Sequence, residues 1–100
     1  RVTVEFDAIP FLPGAIELAV DGVMPGGSAR NLEWGAALLD AGGHDEVHRL
    51  LVADAQTSGG LVFGVDPAHA DEALRTLSES GHAAARIGET GPGEAGFVLR

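Results

Sequence analysis

The stretch DPAHADEALRTLSESG, Asp66 to Gly81, constrains the fold of this chain more than any other segment. Asp66 can accept a hydrogen bond from the free N–H groups that open a helix. Pro67 presets the first helical φ and gives up only an N–H that has no partner there. Ala70, Ala73, Leu74 and Leu77 recur at three- and four-residue spacing and form one apolar stripe. Gly81 can take the left-handed conformation that closes a helix. With both ends of this helix set, its neighbours must be other elements. Leu61-Val62-Phe63-Gly64-Val65, a short continuous apolar run, reads as a strand covered on both faces, and Ala83 to Ile87 reads as the next strand.

The rest of the chain supplies the remaining layers. Val2-Thr3-Val4-Glu5-Phe6 alternates apolar and polar residues, as a half-buried strand does. Ala8 to Pro13 is an extended link, because proline biases the preceding residue away from helix. Pro13 suits the first turn of a helix that buries Ile16, Ala19 and Val20 and stops at Gly22. MPGGSARN, Met24 to Asn31, reads as a glycine-rich loop in which Ser28 or Asn31 caps whatever carries Leu32, Trp34 and Leu38. Trp34 is expected as a core or interface anchor. Asp40 to Asp45 is a flexible connector, and Asp45 caps a short helix, Glu46 to Ala53, with Val47, Leu50 and Leu51 on its apolar side. GETGPGEAG is a turn, and Phe97-Val98-Leu99 is the last strand. The expected fold is α/β (α+β): a mixed sheet of about four strands with flanking helices, partly ferredoxin-like, in one domain.

Composition removes whole classes of chemistry. With no cysteine, disulfides, thiolate metal sites and cysteine nucleophiles are excluded. All six basic residues are arginine, so a Walker A lysine and a Schiff-base lysine are excluded as well. The net charge of −9 opposes nucleic acid and anionic membranes as partners. No apolar run reaches the ~20 residues that span a bilayer. No signal-peptide pattern opens the chain, which begins on Arg1; this fits an origin inside a longer polypeptide.

Two glycine-rich stretches are the candidate ligand contacts. Thr57, Ser58, Gly59 and Gly60 offer two hydroxyls and unshielded backbone N–H groups, a donor set able to cradle an anion. The same glycines can equally serve to turn the chain into a strand. Their helix-to-strand direction is the reverse of a phosphate loop that opens onto a helix N-terminus. Gly26, Gly27, Ser28, Arg30 and Asn31 form the second set. Arg30 can grip a phosphate with two hydrogen bonds, or can pair with one of the many surface acids. His44 and His48 have the i, i+4 spacing of a helical metal chelate. Glu46, however, is at the wrong offset for a metalloprotease base, and His44 falls at or before the helix cap, so a solvated helix start is expected. His69 and His82 flank the clear helix as surface residues. Asp7 and Asp54 border apolar segments without a carboxylate spaced to pair with either. No catalytic residue and no metal ligand is assigned.

Four of these stretches, in order, resemble the C-terminal domain of the selenide, water dikinases, or selenophosphate synthetases, within the AIR-synthase-like enzymes. They are DAIPFLPGAIELAVDG (Asp7 to Gly22), MPGGSARN, DAQTSGGLVFGV (Asp54 to Val65) and IGE (Ile87 to Glu89). The family pattern is approximately I-P-x-L-P-G, V-P-G-G-T-x-R-N, D-P-Q-T-S-G-G-L and I-G-E, and it covers nearly the whole chain. Ala55 stands where the family has proline, and Ser28 stands where it has threonine and keeps the hydroxyl.

The resemblance implies a cytoplasmic enzyme that makes selenophosphate from selenide, ATP and water with Mg²⁺, releasing AMP and phosphate. Its two-domain subunits dimerise through their N-terminal domains. It also implies that the reactive cysteine or selenocysteine, the catalytic lysine and the metal-binding aspartates lie in the N-terminal part or just before this domain. Residues 1–100 are then expected to be a single C-terminal domain of a longer two-domain enzyme. Alone, that domain should be inactive and hold neither ATP nor Mg²⁺. Its partner would be the missing N-terminal ATP-binding domain, which the cofactor-binding candidates Gly26, Gly27, Ser28, Arg30, Asn31 and Thr57 to Gly60 would face. The alternatives are the matching domain of a related enzyme, such as a thiamine-phosphate kinase or a hydrogenase maturation factor, and a stand-alone anion-binding regulatory module.

Overall fold

A computed structural model describes all residues, 1–100. Its first strand, β1 (Val2–Val4), organises the sheet. A two-residue strand, β2 (Leu39–Asp40), lies at one edge, and β3 (Gly88–Thr90) and β4 (Phe97–Leu99) come from the C-terminal end. The order is β2-β4-β1-β3. β1 runs antiparallel to β3 and parallel to β4, which in turn is parallel to β2. The sheet is therefore mixed and four-stranded with helices around it, as expected for the α/β class.

Alternation sets the buried face. Val2 sits beside Phe97 and Val4 beside Leu99 in the parallel register, which puts all four side chains on one side. Val4, Phe6 and Leu99 are the buried centre, with Ile9, Phe11, Ile16, Leu51 and Ile87 packed around them. Backbone pairing continues past β1: Glu5 N–H donates to Ile87 O, and Phe6 N–H donates to Arg100 O. A 3-10 turn, Phe6–Ala8, then carries the chain out of the sheet after Phe6 has been buried.

One glycine is required by this pairing. Val4 lies opposite Gly88 in the antiparallel register, and a Cβ on Gly88 would overlap the Thr3 carbonyl. The glycine of the IGE stretch thus marks the closest approach of two strands.

The helices follow local chemistry. α1 (Ala15–Val20) is preceded by a turn in which Ala15 N–H donates to Leu12 O and Gly14 has φ 84°, ψ −5°, the third position of a type II turn. Pro13 therefore serves the turn and lies outside the helix. α2 (Gly26–Gly35) and α3 (Glu46–Val52) come next. A 3-10 turn, Pro67–His69, leads into α4 (Ala70–Glu79). Asp66 caps that entry by accepting from Ala68 N–H at 2.8 Å. Gly22 and Gly81, with φ 81° and 84°, close α1 and α4 in the same way. Val23 N–H donates to Leu18 O while Gly22 N–H donates to Ala19 O, and His82 and Gly81 repeat the pattern with Leu77 and Ser78. Both ends are Schellman motifs.

Several expectations need correction. Leu61–Val65 is not a strand; it is exposed and without any backbone hydrogen-bond partner, since none of the four strands pairs with it. Ala83–Ile87 is not a strand either. The strand there begins at Gly88, where pairing with β1 becomes possible. Met24–Asn31 is not a loop, because from Gly26 onward it is helix. Trp34 is 85% exposed rather than a core anchor. On α1, Ala19 is buried and Ile16 half-buried, but Val20 faces outward.

Candidate functional site

The two glycine-rich stretches meet. Pro25 occupies the N-cap position of α2, with φ −62° and ψ 139°, so the Gly-Gly pair forms the first helical turn. Glycine is a weak helix former, and this hides the helix start in the sequence. Ser28, in that turn, is fully buried, and its hydroxyl donates to Asp54 Oδ1 at 2.7 Å. One turn on, Asn31 Nδ2 donates to Ala53 O at 3.1 Å. Neither side chain caps α2; both tie its inner face to the end of α3.

Asp54 is the hub of this junction. Its second carboxylate oxygen accepts from Gln56 Nε2 at 3.2 Å. The carboxylate is thereby held from both sides by residues of the two motifs, Ser28 and Gln56. Close packing reinforces the tie: a Cβ on Gly27 would come within 2.8 Å of the Ala55 Cβ. A helix can approach this segment so closely only where it carries glycine. The residue pattern alone left Asp54 without a partner, since its partner lies far back in the chain and is a hydroxyl rather than a second carboxylate.

The remaining candidates point to solvent. Thr57, Ser58, Gly59 and Gly60 are all exposed, and neither hydroxyl has a hydrogen-bond partner. Arg30 is exposed on α2 and makes no ion pair. Gly26 and Gly27 begin a helix whose first N–H groups lack intrahelical acceptors. The structure thus joins the two stretches through Ser28, Asn31, Asp54 and Gln56. It leaves hydroxyls, amide donors and one guanidinium on the outside. That set suits an anion such as a phosphate group. That outward set contains no carboxylate, the ligand that Mg²⁺ usually takes from a protein. No three histidine, aspartate or glutamate side chains gather in a way that could hold a metal ion.

The histidines behave differently from expectation. His44 and His48 meet, Nδ1 to Nδ1, at 3.1 Å, although His44 precedes the helix. Both rings pack on Phe6, with ring centroids 5.3 and 4.2 Å away. This pair covers the core rather than standing in solvent. Asp45 caps α3 by accepting from His48 N–H, and that hydrogen bond, with smaller help from the nearby imidazoles, holds its carboxyl below the usual aspartate value. Open grooves lie elsewhere. One of about 400 Å³ runs between Phe63 and α4, and one of about 290 Å³ lies beside β2 and Arg49. No helix is long and apolar enough to cross a membrane.

Comparison with known proteins bears on this geometry. No family model matches the chain. Selenide, water dikinase of Escherichia coli O139:H28 is 40% identical over 99 residues, 99% of this chain. The enzyme of the same name from Myxococcus xanthus is 38% identical over 98 residues, 97% of the chain. The chain is a relative of the selenide, water dikinases. That of Photobacterium profundum is 36% identical over 80 residues, 78% of the chain. The chain spans only 28%, 28% and 22% of the length of these three dikinases, respectively. The match to the Escherichia coli enzyme, at 99% of the chain, takes in both glycine-rich stretches.

Proposed function

We propose that residues 1–100 are the C-terminal domain of a selenide, water dikinase, and that the junction of α2 with Asp54–Gly60 forms one wall of a site completed by the rest of the enzyme. The complete enzyme would convert selenide, ATP and water to selenophosphate, AMP and phosphate in the cytoplasm, with Mg²⁺, as a homodimer. The observation that carries this reading is the Ser28–Asp54 hydrogen bond at 2.7 Å, which joins two separate motifs into one unit. Ser28, Asn31, Asp54 and Gln56 position that unit. Arg30, Thr57, Ser58 and the N–H groups of Gly59 and Gly60 are its outward donors.

These donors would bind the charged oxygens of a phosphate-bearing ligand and orient them; they would not activate a nucleophile. With no lysine and no cysteine, this domain brings no group for covalent chemistry. It would hold the ligand, while metal and ATP would be gripped mainly by the other domain. ATP supplies the transferred phosphoryl group when bound there.

The test is selenide-dependent AMP formation. The full-length enzyme is expected to be active and the isolated 100-residue chain inactive; clear turnover by the isolated chain would overturn the assignment of chemistry to the missing part. Arg30→Ala or Thr57→Ala in the full-length enzyme is expected to raise KM for ATP or lower kcat. Unchanged values of both would remove these donors from the site.

A further inference from the structure

Leu61–Val65 has everything a strand needs except a neighbour. Its apolar side chains lie open to solvent, with Leu61 89%, Val62 75% and Phe63 60% exposed. None of its N–H or C=O groups has a partner in the chain. Leaving a run of such composition uncovered is unfavourable, and free hydrogen-bonding groups on both sides form a template for pairing. The helix that follows is in the same state. The stripe of α4 (Ala70, Ala73, Leu74, Leu77) is only half-buried, and the groove of about 400 Å³ separates it from Phe63. In α/β architecture a helix of this kind covers the sheet to which the preceding strand belongs. Here that sheet is missing beneath it.

What fills the gap can be argued from length. The Escherichia coli relative matches 99% of this chain, yet that match accounts for only 28% of the relative. Most of such a polypeptide therefore lies outside residues 1–100, tethered to them and present at high effective concentration. We infer that Leu61–Val65 is a β-strand in the complete enzyme, paired with a strand from the part of the polypeptide outside residues 1–100, and that α4 packs its stripe on the sheet so formed. This inference rests on the reading that the chain is part of a longer enzyme. It assigns the surface through which the two parts join.

Amide hydrogen exchange tests the pairing directly. In the 100-residue chain, the amides of Leu61, Val62, Phe63 and Val65 should exchange nearly as fast as in an unstructured peptide. In the full-length enzyme they should slow by about 100-fold or more. A difference of less than about tenfold between the two proteins overturns the inference. So does protection that appears in the 100-residue chain alone as its concentration rises, since the occupant is then a second copy. Val62→Pro removes one strand N–H. In the full-length enzyme it should release protection both at 61–65 and in one segment outside residues 1–100, while β1 and β4 stay protected; release confined to 61–65 counts against a partner strand. Activity reads out separately. Protection without selenide-dependent AMP formation keeps the strand and removes the assigned function. Activity without protection removes the strand alone.

Discussion

Phe97-Val98-Leu99 and Leu61-Val62-Phe63 contain the same three side chains in opposite order. The first is β4, flanked by strands on both sides, and its Leu99 is 1% exposed. The second has no backbone partner and stands in solvent. Intrinsic preference for extended backbone is equal in the two segments, so it cannot explain the difference. Pairing explains it. β-propensity describes how well a side chain suits a surface that neighbours must supply. β4 meets β1 and β2, which arrive from the first half of the chain. Leu61–Val65 meets nothing within these hundred residues.

The contrast can be broken most forcefully at its buried end. Leu99→Ala should destabilise the chain by about 3 kcal/mol, since it removes a fully buried side chain and leaves a cavity. For a domain of this size, that lowers Tm by more than about 10 °C. Leu61→Ala should change stability by less than about 0.5 kcal/mol. Equal losses in thermal melts of the two variants would show that Leu61 is covered in solution.

Gly88→Ala is next in size. The added methyl group meets the Thr3 carbonyl, so β1 and β3 must separate, at about 2 kcal/mol. Gly60→Ala has open space around it and serves as the control, with less than about 0.5 kcal/mol expected. Denaturant melts of both variants decide this.

Ser28→Ala sharpens the border between the two regions, because Asp54 and its partner Gln56 are the last side chains tied down before the exposed run. The loss of a hydrogen bond to a partly buried carboxylate should cost about 1–2 kcal/mol. Faster amide exchange should follow at the end of α3, while β1 and β4 remain protected.

The smallest effect is expected at Asp45. Its carboxyl titrates below its ordinary value of 3.8 in the folded chain, chiefly because it accepts from His48 N–H. A carboxyl held low contributes stability that is fully present above the unfolded value and is lost as pH falls through the folded one. Asp45→Asn should therefore lower Tm slightly at neutral pH, where the carboxylate is ionised, and leave Tm at the acid end nearly unchanged, so that the decline in Tm with falling pH is shallower.

Much of the fold can be read from local chemistry. The alternation at Val2–Val4, the cap at Asp66 and the closing glycines Gly22 and Gly81 act within a few residues, and the structure places each where its pattern indicates. What the pattern does not carry is long-range pairing. Leu61–Val65 looks like a strand, and nothing local says that its partner is absent. β2 consists of two residues that no periodicity marks, and it exists because Leu39 can pair beside Phe97. At the candidate site, the donors of both motifs are legible. Their union through Asp54 is not, since Ser28 and Asp54 are 26 residues apart. The glycines of α2 mislead for the opposite reason: low helix propensity suggests a loop, and close packing against Ala55 supplies the helix with a reason to keep them.

That last contact makes positions 27 and 55 a single unit of choice. A side chain at 27 and the methyl group at 55 claim the same space, so bulk on one side is compatible only with emptiness on the other. Any residue with a Cβ at position 55, proline included, commits position 27 to glycine. Randomising the two together should therefore recover folded variants in which at least one member is glycine, and the identity of one can be inferred from the size of the other.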